Sequence, residues 1–126
     1  MGVRGFGETK EQAFENAAFG LMAVITDPET VRPNEVIDIS CDAPDDELLF
    51  VDWLNALVYE MATRNMLFNR FEVQINGQQL HGKAWGEKVD VARHQPAVEV
   101  KGATYTALRV SQNDNGSWLA ECVVDV

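Results

Sequence analysis

Apolar and polar residues change period several times along the chain, and each change marks an element. From Lys10 to about Thr26 the apolar positions Phe14, Ala17, Ala18, Leu21, Met22 and Ile25 form one stripe at helical spacing. That spacing predicts an amphipathic helix with one face turned to a core. Thr9 and Gln12 bracket its start as a capping box, in which hydroxyl and amide satisfy backbone donors reciprocally. Asp27-Pro28 ends it, and Val31-Arg32-Pro33 reads as an extended connection. The period then falls to two over Glu35–Cys41, where Ile37, Ile39 and Cys41 alternate with Asp38 and Ser40. This is the pattern of a half-buried strand.

A second helix opens at Asp45, an N-cap followed by Asp46 and Glu47 at the positive end of the helix dipole. From Leu48 to Met61 it is apolar around most of its circumference, with Asp52, Asn55 and Glu60 as its few polar positions, and Arg64-Asn65 closes it. Such a helix is expected to be covered on several sides. Phe68–Ile75 alternates again, Asn76-Gly77 is a hairpin signal, and Gln79–Glu87 is the returning strand. A polar link, Lys88–Gln95, leads to Ala97–Val110, which reads as one long strand carrying a buried-looking Lys101. The turn signal Asn113–Gly116 precedes a last strand, Trp118–Val126, so the two are expected to pair as a hairpin. A short strand end at Val3–Phe6 completes the set. Hairpins with two helices inserted early predict a single α+β domain over 1–126, a mostly antiparallel sheet with both helices packed on one face.

The remaining composition narrows the function. The 126 residues can bury a core without staples, and the apolar fraction of 46% is ordinary for a globular domain. Cys41 and Cys122 lie far apart in apolar runs and read as buried free thiols. No apolar run approaches the roughly 20 residues of a membrane span, and Met1–Phe6 lacks a signal-peptide core, so a cytoplasmic chain with no membrane partner is expected. Net charge is −10, all of it in residues 1–60, where three Lys/Arg face thirteen Asp/Glu; residues 61–126 hold seven of each. No cationic footprint for phosphates is visible, so direct nucleic-acid binding is not expected. The knot at Asp42, Asp45, Asp46, Glu47 and Asp52 is either a solvated acidic surface or a docking face for a basic partner.

Candidate chemistry is sparse. His81 and His94 have no partner at zinc-ligand spacing, and His94, in the polar link, reads as a surface residue. There is no phosphate-loop spacing, no nucleophile elbow and no triad. Lys101, mid-strand beside Glu99, is either an exposed sheet position or a cation held for function. Asp125 and Val126 gather hard oxygens that suit Ca²⁺ or Mg²⁺, but two residues do not complete a site.

Several segments together resemble one family. EQAFENAAFGLMAVITDPETVRP, DDELLFVDWLNALVYE, LFNRFEV, AWGEKVDVARH, AVEVKGATY and the ending CVVDV, in that order, are similar to archease, a family that assists RNA ligases of the RtcB type in tRNA splicing and RNA repair. The resemblance implies an activator rather than an enzyme, one that promotes ligase guanylylation and turnover with help from a bound divalent metal of the calcium or magnesium type. It implies Asp125 and Val126 as metal ligands and places Lys101 at the functional surface. The family's His-Thr-Ala-Asp motif, which holds a further aspartate ligand, has no counterpart here and would stand immediately before Met1. The expectation is therefore that Met1 is an internal methionine of a longer reading frame, and that the metal site is weak or empty as it stands. The competing expectation is a chaperone-like or general acidic interaction domain with no metal role, presenting Asp45, Asp46 and Glu47 to basic partners. A small hydrolase using Asp125 is a third.

Overall fold

The Thr9 hydroxyl accepts from the Gln12 amide at 3.1 Å, starting the first helix where the capping pattern places it. The reciprocal bond falls one residue earlier than expected: Gln12 Oε1 accepts from the backbone of Glu8, at 2.9 Å. In the computed structural model, which describes residues 1–126, the elements run β1 (Gly2–Gly7), α1 (Lys10–Ile25), a 3-10 turn (Pro28–Thr30), β2 (Glu35–Asp42) and α2 (Asp46–Arg64). They continue with β3 (Met66–Asn76), β4 (Gln79–Lys88), α3 (Val91–His94), β5 (Gly102–Ala103), β6 (Arg109–Gln112) and β7 (Trp118–Asp125). All strand pairs are antiparallel.

The class is α+β, as the periodicities imply, but the strands divide into two sheets. β7 is the centre of the first, with β1 along one side and both β5 and β6 along the other. The second has the order β2-β4-β3. α1 packs against β1 and β7 of the first sheet and β3 of the second, so the helices join the sheets rather than cover one face of one sheet. β1 approaches α1 so closely that a Cβ on Gly5 would lie 2.2 Å from the Ala13 carbonyl oxygen. On the other side of α1, the Glu15 carboxylate accepts the Val73 amide at 2.8 Å and so occupies a donor on the open edge of β3. Burial of Glu15 raises its pKa.

The core sits where α1 and α2 meet the sheets. Phe14 and Phe50 pack at 5.1 Å between ring centres, and Trp53 meets Phe71 edge-on at 6.2 Å. The Trp53 indole N–H donates to the Phe14 carbonyl at 3.2 Å, tying α2 to α1. α2 is less wrapped than its composition suggests: Leu49, Phe50, Trp53, Leu54 and Leu57 are buried, whereas Tyr59 is exposed. It begins on the Asp45 cap, whose carboxylate accepts from Leu48 at 2.8 Å, and ends with Asn65 in the left-handed region at φ 54°. The β3–β4 reversal is made by Gly77-Gln78, with Asn76 still paired to Gln79.

Two expectations give way here. Ala97–Val110 is not one strand: it is an unpaired run, a two-residue strand, a turn and then β6. Thr104 causes the break. Its hydroxyl donates to the Val123 carbonyl at 2.8 Å and accepts from the Thr106 amide at 3.2 Å, curling the chain where an extended ladder would otherwise continue. The turn leaves Ala107 at φ 53°. Left-handed geometry costs a Cβ-bearing residue roughly 1–2 kcal/mol, and glycine returns part of that as lost unfolded-state freedom, roughly 0.5–1 kcal/mol. Ala107→Gly is therefore expected to raise stability by about 0.5 kcal/mol in urea unfolding.

The second concerns His94, which is buried rather than at the surface. Its Nδ1 accepts the Asp90 amide at 2.8 Å, so the proton sits on Nε2, which faces Glu87 Oε2 at 3.0 Å. Local composition hid this, because the compensating carboxylate comes from β4.

Cys41 and Cys122 are both free. Burial pushes each thiol up to about 11, with the Asp52 carboxylate adding to the effect at Cys41. Both are expected to resist iodoacetamide at pH 8 in the folded protein and to react fast once urea unfolds it, followed by mass spectrometry.

Candidate functional site

The C-terminal end of β7 and the start of β5 form one corner of the first sheet. Gly102 pairs with Asp125 and Ala103 with Val124, and the Lys101 amide donates to the Asp125 carbonyl at 2.8 Å. Lys101 and Asp125, far apart in sequence, are thus brought onto neighbouring strands. Both side chains are exposed, as is Val126, so Lys101 is not the buried cation its strand suggested. Neither charge takes part in an ion pair. An unpaired cation and an unpaired carboxylate at one exposed corner can each meet a charged group on a partner.

Two groups that the sequence did not single out hold this corner. Asn55, on α2, accepts the Ala103 amide through Oδ1 at 2.8 Å and so clamps β5 to the helix. Its standing as one of the few polar residues on an apolar helix was the available signal. The other is Glu87. Arg93 grips its carboxylate at 2.7 and 2.9 Å, the Arg32 amide donates at 2.7 Å, and His94 donates from the buried side. These donors, Arg93 first, hold its pKa far below the usual carboxylate range. Arg93 also donates to the Thr30 carbonyl at 2.7 Å, and the Thr26 hydroxyl donates to the His94 carbonyl at 2.5 Å. This cluster fixes the path of the link that delivers residues 97–101 to the corner.

The acidic knot is placed elsewhere, and three of its five members are engaged within the chain. Asp45 caps α2, Asp46 pairs with Lys10 at 2.9 Å, and Glu47 lies 3.4 Å from the Val110 amide. As for a divalent cation, Asp125 and Val126 stand together at the corner, but no group of three His, Cys, Asp or Glu residues in the chain could hold a metal. A hard cation takes about six to eight oxygen ligands. The donors present fall short of a closed cage.

A family model, the Archease protein family (MTH1598/TM1083), matches residues 1–126. The chain belongs to the archease family. It is 35% identical to protein archease of Pyrococcus furiosus, across 100% of this chain and 92% of that one. Protein archease of Saccharolobus islandicus is 37% identical, across 100% of this chain and 91% of the other. The fold matches the solution structure of Methanobacterium thermoautotrophicum protein 1598 with a TM-score of 0.86 at 29% identity, covering 99% of this chain and 91% of that one. A crystal structure from Thermotoga maritima, described as an archease and possible chaperone, matches with a TM-score of 0.66 at 16% identity, covering 100% and 90%, which speaks to the fold alone. The archease fold is therefore shared. No helix is long and apolar enough to cross a membrane.

Proposed function

We propose that this archease is a non-enzymatic activator of an RNA ligase of the RtcB type, acting in tRNA splicing or RNA repair by promoting the ligase's guanylylation. Family membership supports the class of partner. The observation that carries the reading in this chain is the corner itself, where the Lys101 amide bonds the Asp125 carbonyl and both side chains stand exposed and without ion-pair partners. The Lys101 ammonium is a point charge suited to a phosphate or to a ligase carboxylate, and Asp125 complements a ligase cation. The chain's net charge of −10 argues that its contact is with protein rather than with RNA directly. The competing acidic-patch reading is weakened because Asp45, Asp46 and Glu47 already serve the chain's own helix cap, ion pair and a contact to strand β6.

The test is covalent guanylylation of a purified RtcB-type ligase at limiting GTP, with and without this protein. Acceleration is expected at substoichiometric amounts of the protein, and no acceleration by folded protein contradicts the proposal. We propose Asp125 and Val126 as the ligands of any divalent cation, and so open a site binds weakly. Calcium titration followed by calorimetry is expected to give a dissociation constant of about 10⁻³ M or weaker, abolished by Asp125→Ala.

A further inference from the structure

The run Ala97–Lys101 is tied at both ends and free between them. The Ala97 amide donates to the Ile25 carbonyl at 2.7 Å, and the Lys101 amide donates to the Asp125 carbonyl at 2.8 Å. Between these anchors the amides of Val98, Glu99 and Val100 have no hydrogen-bond partner in the chain, and no carbonyl from 97 to 100 accepts one. Burial alternates along the run, with Ala97, Glu99 and Lys101 exposed, Val98 half-buried and Val100 buried. That alternation is the period of a strand. Backbone amides and carbonyls are strong groups that folded chains pair almost everywhere, so a pinned strand-like run with its groups open is a template for pairing.

A groove of about 330 Å³ lies beside it, with Val58, Met61 and Ala62 of α2 on one wall and Val98 and Val100 on the other. Glu99, at its rim, has no ion-pair partner. The free ladder continues directly from β5 and its pairing with β7, so a strand added here would abut the Lys101–Asp125 corner.

We infer that residues 97–101 receive an extended segment of the partner by strand addition, with aliphatic side chains entering the groove at alternate positions and a cation placed against Glu99. Main-chain bonds would supply the affinity and the groove the register and side-chain preference. The inference rests on the proposed function for its partner, the RNA ligase, and names the surface through which that partner is held.

Amide hydrogen exchange of this protein, alone and with a stoichiometric purified RtcB-type ligase, tests it together with two variants. Glu99→Pro removes an N–H that bonds nothing in the free chain, so its melting temperature is expected to match wild type while ligase affinity falls at least about tenfold, the loss of one good anchored contact. Ala62→Glu, at an exposed position on the wall of the groove, is expected to weaken binding likewise. In the wild-type protein the amides of 98–100 are expected to exchange freely alone and to slow at least about tenfold with ligase bound. If the ligase binds with no slowing at 98–100, the strand-addition inference is overturned and the activator reading stands. If the ligase does not bind at all, the activator reading fails and this inference loses its partner with it.

Discussion

Trp53→Ala is expected to cost about 3–5 kcal/mol of stability, the largest effect of any single truncation in this fold. Trp53 is fully buried and is the largest side chain in the core. Its ring meets elements on several sides: Phe71 of β3 edge-on at 6.2 Å, the Phe14 carbonyl of α1 through its N–H at 3.2 Å, and Gly82 of β4, whose missing side chain leaves room for the ring. Truncation would leave a cavity at the point where both helices meet the second sheet and would remove the bond that ties α2 to the Phe14 carbonyl of α1. Urea unfolding followed by circular dichroism measures the loss.

The partner position gives the prediction a sharper form. A Cβ on Gly82 would lie 2.4 Å from the Trp53 ring, so Gly82→Ala alone is expected to destabilise by about 1–3 kcal/mol through overpacking. In the Trp53→Ala background the added methyl enters empty space instead. The double variant is expected to be no less stable than Trp53→Ala, a coupling of at least about 1 kcal/mol. Strict additivity of the two losses contradicts the packing described.

Glu87→Gln is expected to cost about 3 kcal/mol at neutral pH. The amide keeps the shape but turns an acceptor into a donor that faces the donors of Arg93, His94 and the Arg32 amide. The groups around the carboxylate are the Arg93 cation and the His94 imidazole of α3, with Asp90 beyond Arg93 at 3.9 Å. The folded pKa of Glu87 lies below its unfolded value, so its contribution to stability is fully present above the ordinary glutamate range. It is lost as pH falls below about 4.3 toward the folded value. The stability gap between wild type and Glu87→Gln is therefore expected to be constant from pH 8 to about 5.5 and to narrow below about 4.3, measured by urea midpoints. A gap that widens in acid has the wrong sign.

What the sequence revealed and what it hid follow one physical division. Features set by neighbours within a few residues were legible. The Thr9 and Asp45 caps, the α1 stripe and the Glu35–Cys41 alternation all depend on local bonds or on a single periodicity, and each appears in the fold. Features decided by distant partners were not. His94 looks like a surface residue until Glu87 is brought beside it from β4. The strand at Ala97–Val110 looks continuous because Thr104, Tyr105 and Thr106 favour strands, and what breaks it is a bond from Thr104 to Val123 on another strand. The division into two sheets is likewise invisible to period counting, since α1 shows the same stripe whether it meets one sheet or two. Lys101 and Asp125 were singled out in the sequence, and the hairpin expected there already put them in one sheet; Asn55, which clamps their corner to α2, was passed over as a polar break in an apolar helix.

We propose that the exposed corner of Lys101 and Asp125 carries the ligase-activating role of this archease. Its most direct test compares the wild-type protein with Lys101→Ala in the rate at which a purified RtcB-type ligase becomes covalently guanylylated at limiting GTP. Lys101 is exposed and makes no ion pair, so the variant is expected to keep its melting temperature. It is expected to lose about tenfold or more of the stimulation, the scale of one charge-assisted contact. Full stimulation by Lys101→Ala would contradict the claim.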